Sequence, residues 1–140
     1  MVAHPMVRDR DGRPEFVLAE RQDVEDITIS QKDVRELQLA KAAIRTGIQV
    51  LLATNGRTEQ ELDQVIIAGA FGSYIDVASA VAIGMMPNLP LERFRQVGNA
   101  AGMGAKMALI SSSQRKKAQA LASRVKYVEL GSAPSFSEIF

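Results

Sequence analysis

The chain has 140 residues, is 46% hydrophobic and 24% charged, and balances 17 Lys and Arg against 16 Asp and Glu for a formal charge of +1. It is long enough to bury a core, and its composition is that of an ordinary globular protein. Cysteine is absent and His4 is the single histidine, which excludes disulfides, thiolate nucleophiles and cysteine-ligated metals and argues against a metal site.

The longest charge run, Arg115-Lys116-Lys117, reads as a solvated helix face, so no nucleic acid and no membrane partner is expected. No apolar run reaches the ~18 residues of a membrane span and no signal-peptide pattern opens the chain, so a cytoplasmic protein is expected.

Residues 1–14 carry the turn signals His4-Pro5, Asp11-Gly12 and Arg13-Pro14 and predict a linker or tail. Short strands are predicted at Phe16–Ala19 and Ile27–Ile29. Ser30 with Asp33 forms a capping-box variant. Val34, Leu37, Ala40, Ile44, Ile48 and Leu51 then follow at helical spacing up to Asn55-Gly56, where glycine supplies a left-handed stop. Gly47 inside that helix costs about 1 kcal/mol relative to Ala, which implies a close-packing reason.

Thr58 with Glu61 marks a second capping box and a short helical turn. Val65-Ile66-Ile67-Ala68 is an unbroken apolar run that predicts a strand covered on both faces. It leads into Gly69-Ala70-Phe71-Gly72. Asp76 is placed to cap a helix from Val77 to Ile83, ended by Gly84 and Pro87. Arg95–Val97 predicts a weaker strand, Asn99 caps a helix Ala100–Ile110, Ser113 caps a helix to about Arg124, and Tyr127–Leu130 predicts a closing strand. The last ten residues read as a docking tail or a truncated helix. Alternating strands and helices give an α/β class with helices covering a largely parallel sheet.

The stretch with most chemical content is the buried run that ends on Gly69 to Gly72. Ligands settle outside the carboxyl ends of parallel strands, and glycine there permits positive φ and close approach to the backbone. A nucleotide-facing turn and a tight turn needing glycine for geometry alone both fit this pattern. The second glycine-rich stretch, Gly98 to Lys106, fits neither phosphate motif. A dinucleotide fingerprint from Gly102 would need glycine where Met107 stands, and Ala105 splits Gly104 from Lys106. Its small residues suggest instead a helix that another helix crosses tightly. Asp33 and Asp76 are explained as caps, and with no paired base no catalytic residue is assigned.

Ile27 to Ile44, Ile67 to Asp76, Ala82-Ile83-Gly84 and Val97 to Lys106, taken together and in this order, resemble the reductive activators of corrinoid-dependent proteins. The likeness covers roughly residues 15–130. Members of that family join a plant-type [2Fe–2S] ferredoxin domain to an ATPase domain of the ASKHA class (acetate and sugar kinases, heat-shock chaperones, actin). ATP binding and hydrolysis drive electron transfer that returns cob(II)alamin to cob(I)alamin for methyl transfer.

The resemblance implies an actin-like, ribonuclease H-like subdomain. Residues 15–130 would be the adenosine-side lobe and 131–140 a C-terminal tail. It makes Gly69, Ala70, Phe71 and Gly72 the adenosine turn, Gln38 and Lys41 candidates for adenine or ribose contacts, and Gly102 to Ala105 part of an interdomain connecting helix. It implies ATP with Mg as cofactor in the full-length protein, a [2Fe–2S] cluster only in a part outside this chain, and a corrinoid protein or cobalamin-dependent methyltransferase as partner, with a homodimer among the open arrangements. The acidic phosphate hairpin of such ATPases is not in this sequence, so the chain alone is not expected to hydrolyse ATP. A docking or dimerisation module of a [2Fe–2S] redox protein is the alternative, and a piece of a sugar-kinase-like enzyme ranks below both.

Overall fold

A computed structural model describes residues 4–69, 71–133 and 136–140. The chain divides into two compact units, Met1–Ala43 and Ile44–Phe140.

Unit 1 is built on a three-stranded antiparallel sheet of β1 (Val7–Arg10), β2 (Arg13–Ala19) and β3 (Ile27–Ser30), in that order. The opening stretch, read from its turn signals as carrying no regular element, thus contributes a strand. Asp11 and Gly12 join β1 to β2 with φ of 54° and 77°, the mirror-image turn whose twist matches a two-residue hairpin. The Gly12 N–H donates to Asp9 Oδ1 at 2.7 Å. Turn residues and strand are therefore parts of one hairpin. The register pairs Val7 with Phe16, and Phe16 with Ile29.

Helix α1 (Gln31–Thr54) has the predicted length and the predicted cap. The Asp33 carboxylate accepts from the Ser30 N–H at 2.9 Å and the Ser30 hydroxyl at 2.6 Å, and the Asp33 N–H donates back to Ser30 Oγ at 3.2 Å. Its end is also as predicted, with Gly56 at φ 61°.

In unit 2, β4 (Val65–Ala68) and β5 (Phe94–Gly98) form a parallel pair. Between them lie α2 (Phe71–Tyr74) and α3 (Val77–Ala82). The core gathers Ile67, Ala80, Met85 and Met86, with Ile44, Ile48, Val65, Ile75 and Phe94 packed against them. Each Ile, Val, Phe or Met side chain among them, once fully buried, contributes about 1.5–3 kcal/mol. The apolar run of β4 predicts cover on both faces, yet only Ile67 is buried; Ile66 is 59% exposed. A hollow of about 310 Å³ lies along β4, lined by Ile44, Ile48, Ile66 and Met86 among others.

The second half of α1 docks here, and Gly47 has its packing reason. A Cβ at that position would lie 3.3 Å from Leu130 Cδ1. A single helical turn at Glu59–Glu61 follows α1, with the Glu61 carboxylate accepting from the Thr58 N–H at 2.7 Å and its hydroxyl at 2.9 Å.

After β5 come α4 (Ala100–Ile110), α5 (Ser112–Ala122) and α6 (Phe136–Ile139). Two readings are corrected here. Ser111, not Ser113, caps α5, accepting from the Gln114 N–H at 3.4 Å. Tyr127–Leu130 is not a strand: Tyr127 is 86% exposed and Leu130 opens a helical turn, Leu130–Ser132. A β-rich pattern needs a partner edge, and none meets it among the described residues. Residues 100–107 of α4 are exposed and nothing comes within 4 Å of a Cβ built at Gly104, so no helix crosses its small-residue half among the described residues.

Candidate functional site

The parallel pair brings two chain reversals to one edge. β4 runs directly into Gly69, φ 76°, and β5 ends at Gly98, φ 56°. Both lie in the left-handed region that glycine adopts without penalty. The Gly69 N–H donates to the Gly98 carbonyl at 2.6 Å, which fastens the two bends side by side at the carboxyl ends of the strands. This is the edge where open α/β sheets take ligands.

The glycines at this edge do different things. A Cβ at Gly69 would meet no heavy atom within 4 Å, so the bend is open to whatever approaches. A Cβ at Gly72 would fall 2.4 Å from the Ile67 carbonyl oxygen and 3.1 Å from Gly98 N. Gly72 is buried and lets α2 lie directly on the strand ends, so its first duty is to the fold. The Gly72 N–H returns to the Gly69 carbonyl at 3.1 Å, closing the turn. Ala70 lies outside the described residues, and Phe71 is placed as the first residue of α2.

Motif spacing misses Gly98, because the stretch Gly98 to Lys106 matches no phosphate motif. A glycine directly after each parallel strand was the signal available.

Two helices open near these bends. Asp76 caps α3, its Oδ1 accepting the Ser79 N–H at 2.7 Å, and the Ser79 hydroxyl and N–H hold the Asp76 carboxyl below its ordinary range. Asn99 caps α4, its Oδ1 accepting the Gly102 N–H at 2.9 Å. Both are thereby committed to caps, and neither is left as an acid or base. Gln96 Nε2 donates to the Ile75 carbonyl at 2.9 Å and ties the loop between α2 and α3 to β5.

Gln38, exposed, and Lys41, half-buried, lie three residues apart on one face of α1 in unit 1. The glycine bends belong to unit 2. The charged network of unit 1 is of another kind. Glu15, 9% exposed, accepts from Arg8 Nε at 2.8 Å and from Thr28 Oγ1 at 3.0 Å. Arg8 Nη1 also donates to Asp26 Oδ2 at 2.6 Å. The Arg8 guanidinium, helped by the Thr28 hydroxyl, holds the Glu15 carboxyl below its ordinary range. Every member has a partner, so the cluster reads as sheet cross-bracing. Among the described residues no group of three or more His, Cys, Asp or Glu is placed to hold a metal ion, and no helix is long and apolar enough to cross a membrane.

Comparison with known proteins adds the following. The model of one family, described as the C-terminal domain of RACo, the ASKHA domain, matches residues 1–140. The corrinoid activation enzyme RamQ of Eubacterium limosum is 39% identical over 145 residues, covering 99% of this chain and 24% of that protein. The [Co(II) methylated amine-specific corrinoid protein] reductase of Methanosarcina barkeri is 33% identical over 73 residues, covering 52% of this chain and 13% of that protein. A solved structure of a reductive activator for corrinoid, iron-sulfur protein superposes with a TM-score of 0.80 at 34% identity, over 95% of this chain and 22% of that one. The chain thus spans about a quarter of the length of these relatives.

Proposed function

The chain belongs to the family of C-terminal ASKHA domains of RACo, and from that premise we propose that it supplies the adenosine side of the nucleotide site in an ATP-dependent reductive activator of a corrinoid protein. The observation that carries the site is the open, positive-φ bend at Gly69, fastened to Gly98 at the carboxyl edge of β4 and β5. The unfilled space over Gly69 lets a nucleoside reach the backbone, so the residues present fit the group. On this reading Gly69, Ala70, Phe71 and Gly72 would be the adenosine turn, and Gln38 and Lys41 would offer an amide and an ammonium for the base and ribose.

ATP supplies the energy that drives an otherwise unfavourable electron transfer to cob(II)alamin, giving the cob(I)alamin that accepts a methyl group. Mg accompanies the triphosphate. A [2Fe–2S] cluster does not fit this chain, which has no cysteine to ligate one; the electron donor belongs to another part of the parent protein. The role of this chain is to bind and orient the nucleoside.

The test is made on the full-length protein. Mg-ATP at ~100 times its dissociation constant should raise unfolding stability by about 2.7 kcal/mol, and cob(II)alamin reduction on the corrinoid protein should require ATP. No stabilisation by Mg-ATP, together with reduction that proceeds equally without it, would replace this reading by that of a docking module.

A further inference from the structure

The chain has three asparagines, Asn55, Asn88 and Asn99, and Asn55 alone is followed by glycine. A glycine there leaves its backbone nitrogen unshielded by a Cβ, so that nitrogen can reach the preceding side-chain amide carbon. The Gly56 nitrogen then bonds to Asn55 Cγ, the Cγ–Nδ2 bond breaks, and ammonia leaves with the proton that the Gly56 nitrogen gives up. Water reopens the resulting imide ring at one of its two carbonyls, giving aspartate or isoaspartate at position 55.

In the folded chain both reacting groups are engaged. Asn55 Nδ2 donates to the Leu51 carbonyl at 2.7 Å, which draws the side-chain amide back toward the preceding turn of α1. The Gly56 N–H donates to the Ala53 carbonyl at 3.0 Å, so the proton that must leave is held. Around them the end of α1 is closed. The Asn55 and Arg57 N–H groups donate to the Leu52 carbonyl at 3.0 and 2.9 Å, and the Thr54 hydroxyl donates to the Val50 carbonyl at 2.8 Å. The last carbonyls of a helix have no partner within it; here those of Leu51, Leu52 and Ala53 all find one, each with the help of Asn55 or Gly56. These bonds join residues at most five apart, so they form without help from any other part of a longer protein.

We infer that Asn55 is a latched deamidation site: the hydrogen bonds that cap α1 also hold the reaction off, and it proceeds when the last turn of the helix opens. The product cannot rebuild the cap. Either product carries a carboxylate where Nδ2 donated, so the Leu51 carbonyl loses its donor. The new negative charge also meets the negative end of the helix dipole. No basic residue lies in the last turn to offset it, and Arg57 already donates to Glu61 at 3.1 Å. Isoaspartate further adds a carbon to the main chain, which displaces the Gly56 and Arg57 N–H groups. Brief openings are thereby recorded as a permanent loosening of the helix whose Ile44 and Ile48 pack on the core.

The experiment incubates the full-length protein at neutral pH and follows Asn55 by peptide mass spectrometry, with Asn88 and Asn99 as internal standards. In denaturing guanidinium chloride, Asn55 should deamidate faster than either standard. In the native protein it should react at least about tenfold more slowly than in denaturant, as befits a reaction gated by local opening. Ala53→Gly weakens the last turn without touching the reacting pair and should speed the native reaction severalfold. Ala43→Gly, about three turns upstream, should leave it at the wild-type rate. Asn55→Asp should lower the guanidinium midpoint. An Asn55 that reacts no faster than Asn88 in the unfolded chain overturns the site, and a native rate equal to the unfolded one overturns the latch. Equal acceleration by Ala43→Gly assigns the reaction to global unfolding and overturns the gating by the last turn. A wild-type midpoint in Asn55→Asp overturns the claim that the product leaves the helix end open.

Discussion

At the scale of single residues, the turn after β4 separates two uses of glycine that the sequence presents as one motif. Gly69 needs its backbone angle, φ 76°, and has open space around it; Gly72 needs its lack of a side chain, since a Cβ would lie 2.4 Å from the Ile67 carbonyl oxygen. Gly72→Ala should therefore destabilise the folded protein by about 1–3 kcal/mol, the usual range for forcing atoms into a packed site. The backbone oxygen it meets is not a flexible side-chain end that can swing away. Gly69→Ala should cost only about 1–2 kcal/mol, the penalty of holding an L-residue in left-handed geometry. If a nucleoside rests on Gly69, that variant should also weaken Mg-ATP binding. Denaturant titration of both variants, with and without Mg-ATP, checks this. A Gly72 variant as stable as wild type would show that α2 does not lie on the strand ends as described.

At the scale of elements, the sequence was most readable where a local interaction decides the structure. The Ser30–Asp33 cap, the Gly56 stop, the Asp76 and Asn99 caps and the run of α1 all depend on residues within one or two turns of each other. It was least readable where an element depends on a distant partner. Val7–Arg10 becomes a strand because β2 pairs with it, and its charged residues gave no period-2 apolar signal. Tyr127–Leu130 reads as a strand and finds no partner edge among the described residues. Of the site, the Gly69 bend was visible as a glycine after an apolar run, while its bond to Gly98 required knowing that β4 and β5 are neighbours. The antiparallel sheet of unit 1 makes a testable statement about pH. The folded Glu15 carboxyl titrates below its ordinary value near 4.5 because Arg8 and Thr28 bond its charged form. Its contribution is therefore complete above that value and disappears as pH falls through the lower, folded value. Thermal unfolding followed from pH 6 downward should show a falling Tm below about pH 4.5, and Glu15→Gln should flatten that fall. An unchanged pH profile in the variant would mean that the cluster does not stabilise the sheet.

At the scale of the whole molecule, the contacts that the resemblance implies fall at Gln38 and Lys41 in one compact unit and at Gly69 in the other. That division gives a direct way to ask whether they serve one ligand. In the full-length protein, Gln38→Ala and Gly69→Ala should each weaken Mg-ATP binding. If both residues touch the same nucleoside, the double variant should lose less than the sum of the two single losses, because a nucleoside displaced by the first change has little left to lose from the second. A coupling of roughly 0.5 kcal/mol or more is the mark of residues that share a partner, while independent sites add to within about 0.3–0.5 kcal/mol. Stability without nucleotide serves as the reference cycle, and there the two changes should simply add. Additivity in both cycles would separate Gln38 from the glycine bend and leave the nucleoside contact to unit 2 alone. Coupling confined to the Mg-ATP cycle can arise only through the bound nucleotide, which makes this the sharpest measure of the adenosine site that these residues permit.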